Sequence, residues 1–206
     1  MLKIAVFASG RGSNFISLFN FINSEKINAE IKLVVSSKKE TGAIKFANEN
    51  KINSVYLNQN DFISEAEYIL ELKKYLELNE INFIVLAGYI KLIPIEIINK
   101  FRNKIINIHP ALLPKFGGKG MFGENVHKAV IEAKEIFSGA TVHFVDEEFD
   151  NGTIILQEKV SVNESDTAES LAKKVLEIEH KILPLAIKYF SENKILIENN
   201  ITTILI

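Results

Sequence analysis

The chain has no cysteine among its 206 residues, and this absence removes several kinds of chemistry. Without thiols there is no disulfide, no thiolate nucleophile and no cysteine-ligated zinc site. Metal-binding spacings such as HExxH are also missing, so we expect no metal. The lack of cysteine agrees with a cytoplasmic location, where thiols and disulfides are not needed for stability.

An excess of basic residues is absent too, because 24 Lys and Arg stand against 26 Asp and Glu and the net charge is −2. A chain of this charge has no electrostatic attraction for nucleic acid, so we expect no nucleic-acid partner. No apolar run approaches the roughly 18 residues of a membrane span. The strand-like run Met1–Phe7 is followed at once by Gly10 and Gly12, so we expect neither a membrane anchor nor a signal peptide.

Short apolar runs alternate with helical patterns along the first half of the chain. The predicted strands are 2–8, 31–36, 53–57, 82–87 and 104–109, and the predicted helices lie near 14–23, 42–50, 64–78 and 94–101. This alternation predicts a Rossmann-like, three-layer α/β fold with a mainly parallel sheet and helices on both faces. The length favours a single domain over residues 1–206.

The second half of the chain predicts a change in strand direction. After a helix near 126–134, strands at 140–145 and 154–160 flank the turn dipeptide Asn151-Gly152, which favours an antiparallel hairpin. A long helix then runs to about residue 190 with Pro184 inside it, and the last dozen residues contain two short strand-like pieces. The sheet is therefore expected to be mixed at this end.

Asn107-Ile108-His109-Pro110 is the most informative stretch of the sequence. Residues two apart in a strand point to the same face, so Asn107 and His109 are expected to project together from a strand end that Pro110 closes. An amide donor beside a group that titrates near neutral pH suits stabilisation of an oxyanion together with proton transfer. The simpler alternative is a strand end with a satisfied polar pair.

A glycine-rich turn follows the first strand at Gly10-Arg11-Gly12-Ser13-Asn14 and opens a helix. Helix N-termini offer free N–H groups to anions, so the turn predicts phosphate binding. A dinucleotide fingerprint would need a third glycine where Phe15 stands, although Ser36-Ser37-Lys38-Lys39 is compatible with NADP. The alternative is a tight turn in which Ser13 or Asn14 only caps the helix.

Four acidic residues lie between the two predicted hairpin strands, at Asp146, Glu147, Glu148 and Asp150. One of them is a candidate partner for the His109 imidazole, since a nearby carboxylate favours the protonated ring and raises its pKa. Spacing alone does not select among them, although Asn151-Gly152 makes Asp150 attractive. The alternative is a solvated charge cluster. The other histidines, His143 among them, are predicted to be structural.

Together these motifs resemble the phosphoribosylglycinamide formyltransferase family of folate-dependent enzymes. The matching segments, in family order, are Gly10–Asn14, Leu86–Leu92, Asn107–Lys115, Thr141–Val145, Phe149–Gly152 and Glu179–His180. The resemblance covers about residues 2 to 190. It implies transfer of a formyl group from 10-formyltetrahydrofolate to the amine of glycinamide ribonucleotide, with no metal, in a monomer or homodimer whose partners are these small molecules.

The resemblance also implies the roles of individual residues. Asn107 and His109 would stabilise the oxyanion, and Asp150 would raise the pKa of His109 and assist proton transfer. The implied ribonucleotide site is formed by Gly12, Ser13, Asn14, Leu176, Glu177, Ile178 and Glu179. The implied folate site is formed by Ile90, Lys91, Leu92, Ile93, Asn107, Asp146, Glu147, Glu148, Phe149 and Asp150.

This sequence departs from the family pattern at a few positions. A family histidine falls at Asn125, an arginine at Glu65 and a glutamine at Leu176. The segment 116–125 is longer than usual and rich in glycine, which predicts either a mobile loop near the substrate or a surface insertion. These departures concern peripheral contacts and not the reaction.

Three alternatives remain open at this point. The same three groups are compatible with a hydrolase that releases formate from the folate, which formate release without ribonucleotide would reveal. A transferase acting on methionyl-tRNA or an amino sugar is a weaker alternative, because such enzymes usually lack this glycine turn. An NADP-binding reductase or nucleotide sensor would bind NADPH tightly and folate not at all.

Overall fold

The first half of the chain alternates strands and helices as the sequence predicted. In this computed structural model residues 1–198 and 201–205 are described, and contacts group the chain into two compact units, 1–106 and 107–206. A single domain over 1–206 stays a prediction. The elements of the first unit are β1 Leu2–Phe7, α1 Ser13–Ser24, β2 Ala29–Ser36, α2 Gly42–Glu49, β3 Asn53–Tyr56, α3 Glu65–Leu78, β4 Phe83–Leu86 and α4 Ile95–Lys100.

The strands of the first unit are parallel, and the inner strands β1 and β4 are the most deeply buried. β1 pairs with β2 on one side and β4 on the other, and β2 also pairs with β3, all in parallel register. Ile4, Ala5, Val6 and Phe7 are fully buried, so both faces of β1 are covered. This is why the strands read as unbroken apolar runs and not as alternating patterns.

Side chains cap two of the four helix beginnings in the first unit, those of α2 and α3. Thr41 accepts from the Ile44 N–H at the start of α2, and Ser64 accepts from the Glu67 N–H at the start of α3. Such caps satisfy N–H groups that have no partner inside the helix. α1 instead begins after Gly12, which has a φ of 80°. The first N–H groups of α1 have no capping side chain.

The second half carries the predicted hairpin and long helix. Its elements are β5 Ile105–His109, α5 Glu124–Glu132, β6 Phe137–Phe144, β7 Ile154–Ser161, α6 Ala168–Ser191, β8 Ile195–Glu198 and β9 Ile201–Ile204. β6 and β7 are antiparallel, as are β8 and β9 in a separate two-stranded sheet. The larger sheet has the order β3-β2-β1-β4-β5-β6-β7, so the expected mainly parallel α/β sheet with an antiparallel hairpin is confirmed.

Local differences from the predicted elements are concentrated in the hairpin. β6 begins at Phe137, three residues before the predicted start, and the connection to β7 is a nine-residue loop, 145–153. The left-handed backbone conformation in this loop belongs to Asp150, with a φ of 56°, and not to the expected turn glycine. Gly152 is required for a different reason: a Cβ there would lie 1.9 Å from the Phe144 carbonyl oxygen.

Substitution of Gly152 by alanine is therefore expected to destabilise the second unit. The added methyl group cannot coexist with the Phe144 carbonyl unless the hairpin opens, and overpacking of this kind costs about 1–3 kcal/mol of unfolding free energy. Urea unfolding measures the loss. Gly10→Ala is the matched control, because a Cβ there has no heavy atom within 4 Å; an equal loss in both variants would contradict the explanation.

Candidate active site

The end of β5 brings the predicted amide and imidazole to one carboxylate. Asn107 Nδ2 donates to Asp150 Oδ1 at 3.3 Å, and His109 Nδ1 lies 3.4 Å from the same oxygen. Asp150 reaches them from the loop after β6. Of the four acids in that loop, Asp150 is thus the one that contacts His109, a choice that spacing alone had left open.

The ring of His109 is fixed by a backbone carbonyl behind it. Its Nε2 lies 2.8 Å from the Phe116 oxygen, and because a carbonyl only accepts, Nε2 must carry the hydrogen. In the neutral ring Nδ1 is then the unprotonated nitrogen, and it faces Asp150. Only 3% of His109 is exposed, so this arrangement holds in a largely dry environment.

The amide of Asn107 is oriented by a second histidine that the sequence analysis treated as structural. His143 Nδ1 donates to the Phe144 oxygen at 2.8 Å, so in the neutral ring Nε2 is left as an acceptor. It accepts from Asn107 Nδ2 at 3.1 Å. With Asp150 taking the other hydrogen, both amide hydrogens of Asn107 are engaged.

His143 gave one signal that sequence reasoning passed over. It lies two residues after Thr141 on β6, so two buried polar side chains share one face of the strand. Buried polar groups need partners, and two on the same face indicate a polar network. Thr141 supplies the other half: its hydroxyl donates to the Ala111 oxygen at 2.6 Å and accepts from the Leu113 N–H at 3.2 Å.

Removal of the His143 acceptor is expected to loosen the Asn107 amide. His143→Leu leaves a half-buried N–H without a partner, which costs about 1–3 kcal/mol of unfolding free energy. His143→Gln offers an amide oxygen to the same N–H, so its loss is expected to be smaller. Urea unfolding of the two variants checks the order; equal losses would mean that the contact with Asn107 contributes nothing.

Burial sets the titration of His109 more strongly than its carboxylate partner does. Burial lowers the pKa of His109, the charge of Asp150 and the Phe116 carbonyl raise it, and nearby His143 lowers it, with a net shift below the ordinary value of 6.5. The sequence predicts that a carboxylate beside His109 raises the pKa of its ring. Asp150 acts in the expected direction, but desolvation of the ring outweighs it.

Asp150 remains ionised despite its partial burial. Burial raises its pKa, while the adjacent His143, the charge of His109 and the Gly118 N–H lower it, and the net pKa is below the ordinary 3.8. The Gly118 N–H donates to Oδ2 at 2.9 Å. The site therefore places the Asp150 carboxylate beside the buried His109 ring, with Oδ1 3.4 Å from Nδ1.

The glycine turn before α1 has the features of an anion site within the first unit. Gly12 closes on α2 so tightly that a Cβ would lie 2.9 Å from Ala43 Cα. The first N–H groups of α1 have no capping side chain, and Asn14 Oδ1 is buried without a partner in the described part of the chain. Ser13, at the first helical position, contributes its backbone N–H.

The serines of the proposed NADP tetrad are already used inside the first unit. Ser36 donates its hydroxyl to the Lys38 oxygen at 2.9 Å, and the Ser37 and Ser9 hydroxyls lie 2.7 Å apart in a buried pair. These contacts leave the serine hydroxyls occupied by the protein, which does not favour a 2′-phosphate site at this position.

The remaining predicted folate residues differ in how far they are exposed. Ile90, Lys91 and Leu92 are exposed after β4, whereas Ile93 is buried and takes part in the core. In the hairpin loop Asp146 is used locally, since its carboxylate accepts from the Glu148 N–H and from the Asn151 amide. Glu147 is exposed and Phe149 is half-buried.

The predicted ribonucleotide residues on α6 are likewise unequal. Glu179 is buried, with 8% exposed, while Glu177 is exposed and Leu176 and Ile178 are half-buried. Of these four residues, Glu179 is the one whose side chain is buried. In the described residues, 1–198 and 201–205, no group of three or more His, Asp or Glu side chains is arranged to hold a metal ion.

A neutral imidazole, a carboxylate and an oriented amide at the end of a sheet strand are the groups of an acyl-type transfer enzyme. The chain belongs to the formyl transferase family, whose sequence model matches residues 2–187. No helix in the described part of the chain is long and apolar enough to cross a membrane.

Comparisons with individual proteins agree with this assignment. The chloroplastic phosphoribosylglycinamide formyltransferase of Arabidopsis thaliana is 42% identical over 94% of this chain, which spans 66% of the plant protein. The crystal structure of glycinamide ribonucleotide transformylase 1 from Symbiobacterium toebii has a TM-score of 0.92 at 31% identity, covering 100% of this chain and 95% of that one. A formyltetrahydrofolate deformylase from Pseudomonas syringae shares the fold alone, at 22% identity and a TM-score of 0.87 over 100% of this chain and 67% of its own.

Proposed function

We propose that this protein transfers the formyl group of 10-formyltetrahydrofolate to the amine of 5′-phosphoribosylglycinamide, giving formylglycinamide ribonucleotide and tetrahydrofolate in purine biosynthesis. The observation that carries the proposal is the Asn107, His109 and Asp150 cluster in a member of the formyl transferase family. These groups match the needs of an acyl-type transfer between two nitrogens.

The reaction forms one C–N bond and breaks another. The amine nitrogen of the ribonucleotide attacks the formyl carbon, and the carbonyl electrons move to oxygen to give a tetrahedral oxyanion. The amine loses a proton, the oxyanion reforms its C=O bond, and the bond to N10 of the folate breaks as N10 takes up a proton. A catalyst must therefore hold a negative oxygen and move one proton from nitrogen to nitrogen.

Two features of the cluster suit these tasks. His109 Nδ1 is the unprotonated nitrogen of a neutral ring, and a proton that it accepts lies beside the Asp150 carboxylate, which stabilises the charge. The Asn107 amide holds Asp150 by the longer of its two hydrogen bonds, 3.3 Å, and an oxyanion can replace that contact. His109 is nearly dry, with 3% exposed, which strengthens its electrostatic effect.

Substrate binding is assigned within each unit separately. The uncapped N-terminus of α1, with Gly12, Ser13 and Asn14, would hold the ribonucleotide phosphate, because free N–H groups and a helix dipole favour an anion. Glu179 is the candidate for the ribose hydroxyls. Within the first unit, exposed Ile90 and Leu92 offer apolar surface to the pterin.

A two-substrate assay tests the proposal directly. Purified protein, 10-formyltetrahydrofolate and the ribonucleotide are mixed, and tetrahydrofolate and the formylated product are measured. Formate released in the absence of ribonucleotide would support the hydrolase instead. Fluorescence titration with NADPH tests the nucleotide-binding alternative, which requires tight NADPH binding and none of folate.

The wider context of the protein stays a prediction. A cytoplasmic location follows from the sequence analysis only, and the Arabidopsis relative is described as chloroplastic. Monomer or homodimer, and the absence of nucleic-acid and membrane partners, are predictions of the same kind. Size-exclusion chromatography with light scattering measures the oligomeric state.

A further inference from the structure

A short backbone segment contacts both titrating members of the cluster. The Phe116 carbonyl accepts from His109 Nε2 at 2.8 Å, and the Gly118 N–H donates to Asp150 Oδ2 at 2.9 Å. These two contacts lie on the far sides of the ring and the carboxylate from the 3.4 Å approach of Nδ1 to Oδ1. One tripeptide thus braces the histidine and the acid from behind.

The backbone of this tripeptide is held in an unusual conformation. Phe116 has a φ of 57° and Gly118 a φ of 94°. The left-handed region is unfavourable for a bulky residue such as Phe, and such strain persists only where the surroundings over-determine it. At Phe116 the strained backbone conformation accompanies the contact between its carbonyl oxygen and the His109 ring.

Gly117 between them is the point of closest packing. A Cβ at this position would lie 2.6 Å from Leu113 Cδ2 and 3.1 Å from Asp150 Cβ. Leu113 is buried, so its side chain must repack inside the core before a methyl group at position 117 fits. A side chain at position 117 would therefore push the segment and Asp150 apart.

We infer that Phe116–Gly118 is a positioning element, which holds His109 as the Nε2–H tautomer and turns its Nδ1 and the Asp150 carboxylate toward the reacting atoms. The inference rests on the proposed formyl transfer for its catalytic consequence, but the tautomer is a property of the free protein. It also assigns a role to the start of the glycine-rich segment 116–125, for which the sequence predicts either a mobile loop or a surface insertion. The three residues act through His109 and Asp150 and do not touch substrate.

The titration of His109 reports on this element because its other neighbours are known. The titratable groups that face His109 are Asp150 from the hairpin loop, His143 from β6 and His127 from α5. The Phe116 carbonyl accepts from its Nε2. A carbonyl bonded to Nε2–H favours the protonated ring. Movement of the segment away from the ring should therefore lower the pKa of His109 further and release the Nε2–H tautomer.

Gly117→Ala with Gly120→Ala as its control tests the inference. Both add a methyl group to the same loop, but a Cβ at Gly120 has no heavy atom within 4 Å, and its φ of 89° makes that variant the strained one. Nitrogen-15 NMR of histidine-labelled protein gives the tautomer and pKa of His109, and steady-state assays give kcat and KM. We expect Gly117→Ala to show mixed tautomers, a lower His109 pKa and a kcat lower by about 10- to 100-fold with KM changed less than about threefold. Gly120→Ala should keep the wild-type tautomer and pKa.

The outcomes separate this inference from the proposed function. Wild-type protein whose neutral His109 is the Nδ1–H tautomer would overturn the positioning role, even if Gly117→Ala failed to fold. The same holds if Gly117→Ala keeps the tautomer, the pKa and kcat of the wild type. Wild-type protein that shows the Nε2–H tautomer but no formyl transfer would remove the proposed function and leave the structural part of the inference standing.

Discussion

Replacement of His109 by alanine is expected to lower kcat for formyl transfer by about 10²–10⁴-fold, the range for loss of a positioned proton-transfer group. The variant loses the ring nitrogen Nδ1, which lies 3.4 Å from Asp150 Oδ1. It also leaves the Phe116 carbonyl without its donor. Because substrate contacts elsewhere are untouched, KM is expected to change much less than kcat.

The measurement needs a check on folding, because His109 is buried, with 3% of its surface exposed. Circular dichroism and urea unfolding establish whether the variant retains the fold, and the assay is interpreted only for folded protein. Lys128→Ala is a control on α5, where the side chain is exposed and pairs with Glu124 at 3.2 Å. A folded His109→Ala protein with kcat within about threefold of wild type would remove His109 from the chemistry.

The fold was predictable because local patterns carried it. The inner parallel strands β1 and β4 are buried on both faces, so each reads as an apolar run. The loop between β6 and β7 carries the turn dipeptide Asn151-Gly152. Asn107 and His109 were found by the two-residue period of β5. Each of these signals lies within a few residues of sequence and needs no knowledge of distant contacts.

The parts of the site that were missed depend on contacts between distant segments. His143 Nε2 lies 3.1 Å from Asn107 Nδ2, although the two residues are 36 positions apart in the sequence. The contact of Gly118 with Asp150 spans 32 residues. The raising effect of Asp150 on the His109 pKa was predicted, but the net shift was not, because it depends on how much solvent the folded chain removes and motifs do not give that quantity.

Asp150→Asn is expected to lower kcat by about 10²–10⁴-fold while it preserves the backbone. Asp150 has a φ of 56°, and asparagine tolerates this left-handed conformation as well as any residue except glycine. Its amide oxygen can still accept from the Gly118 N–H. The variant therefore removes the negative charge beside His109 together with the oxygen that accepts from Asn107 Nδ2, so the loss in kcat measures both.

Two further readouts follow from the removal of that charge. The carboxylate raises the pKa of His109, so in Asp150→Asn the His109 pKa should fall below its already lowered value, as NMR titration can show. The Asp150 pKa is held below 3.8, so its ionised form stabilises the fold above that pH and the contribution disappears as pH falls through the folded pKa. That acid-side loss of stability should be smaller in Asp150→Asn.

Glu158→Gln is the matched control for removal of one carboxylate charge from the second unit. Glu158 lies on β7 and pairs at the surface with Lys181 at 2.8 Å. Exposed pairs contribute about 0–1 kcal/mol, and the control should leave both kcat and the His109 titration as in wild type. If Asp150→Asn and Glu158→Gln shift the His109 pKa equally, the effect is a general charge effect, and the Asp150 carboxylate has no special role in holding the proton that leaves the amine.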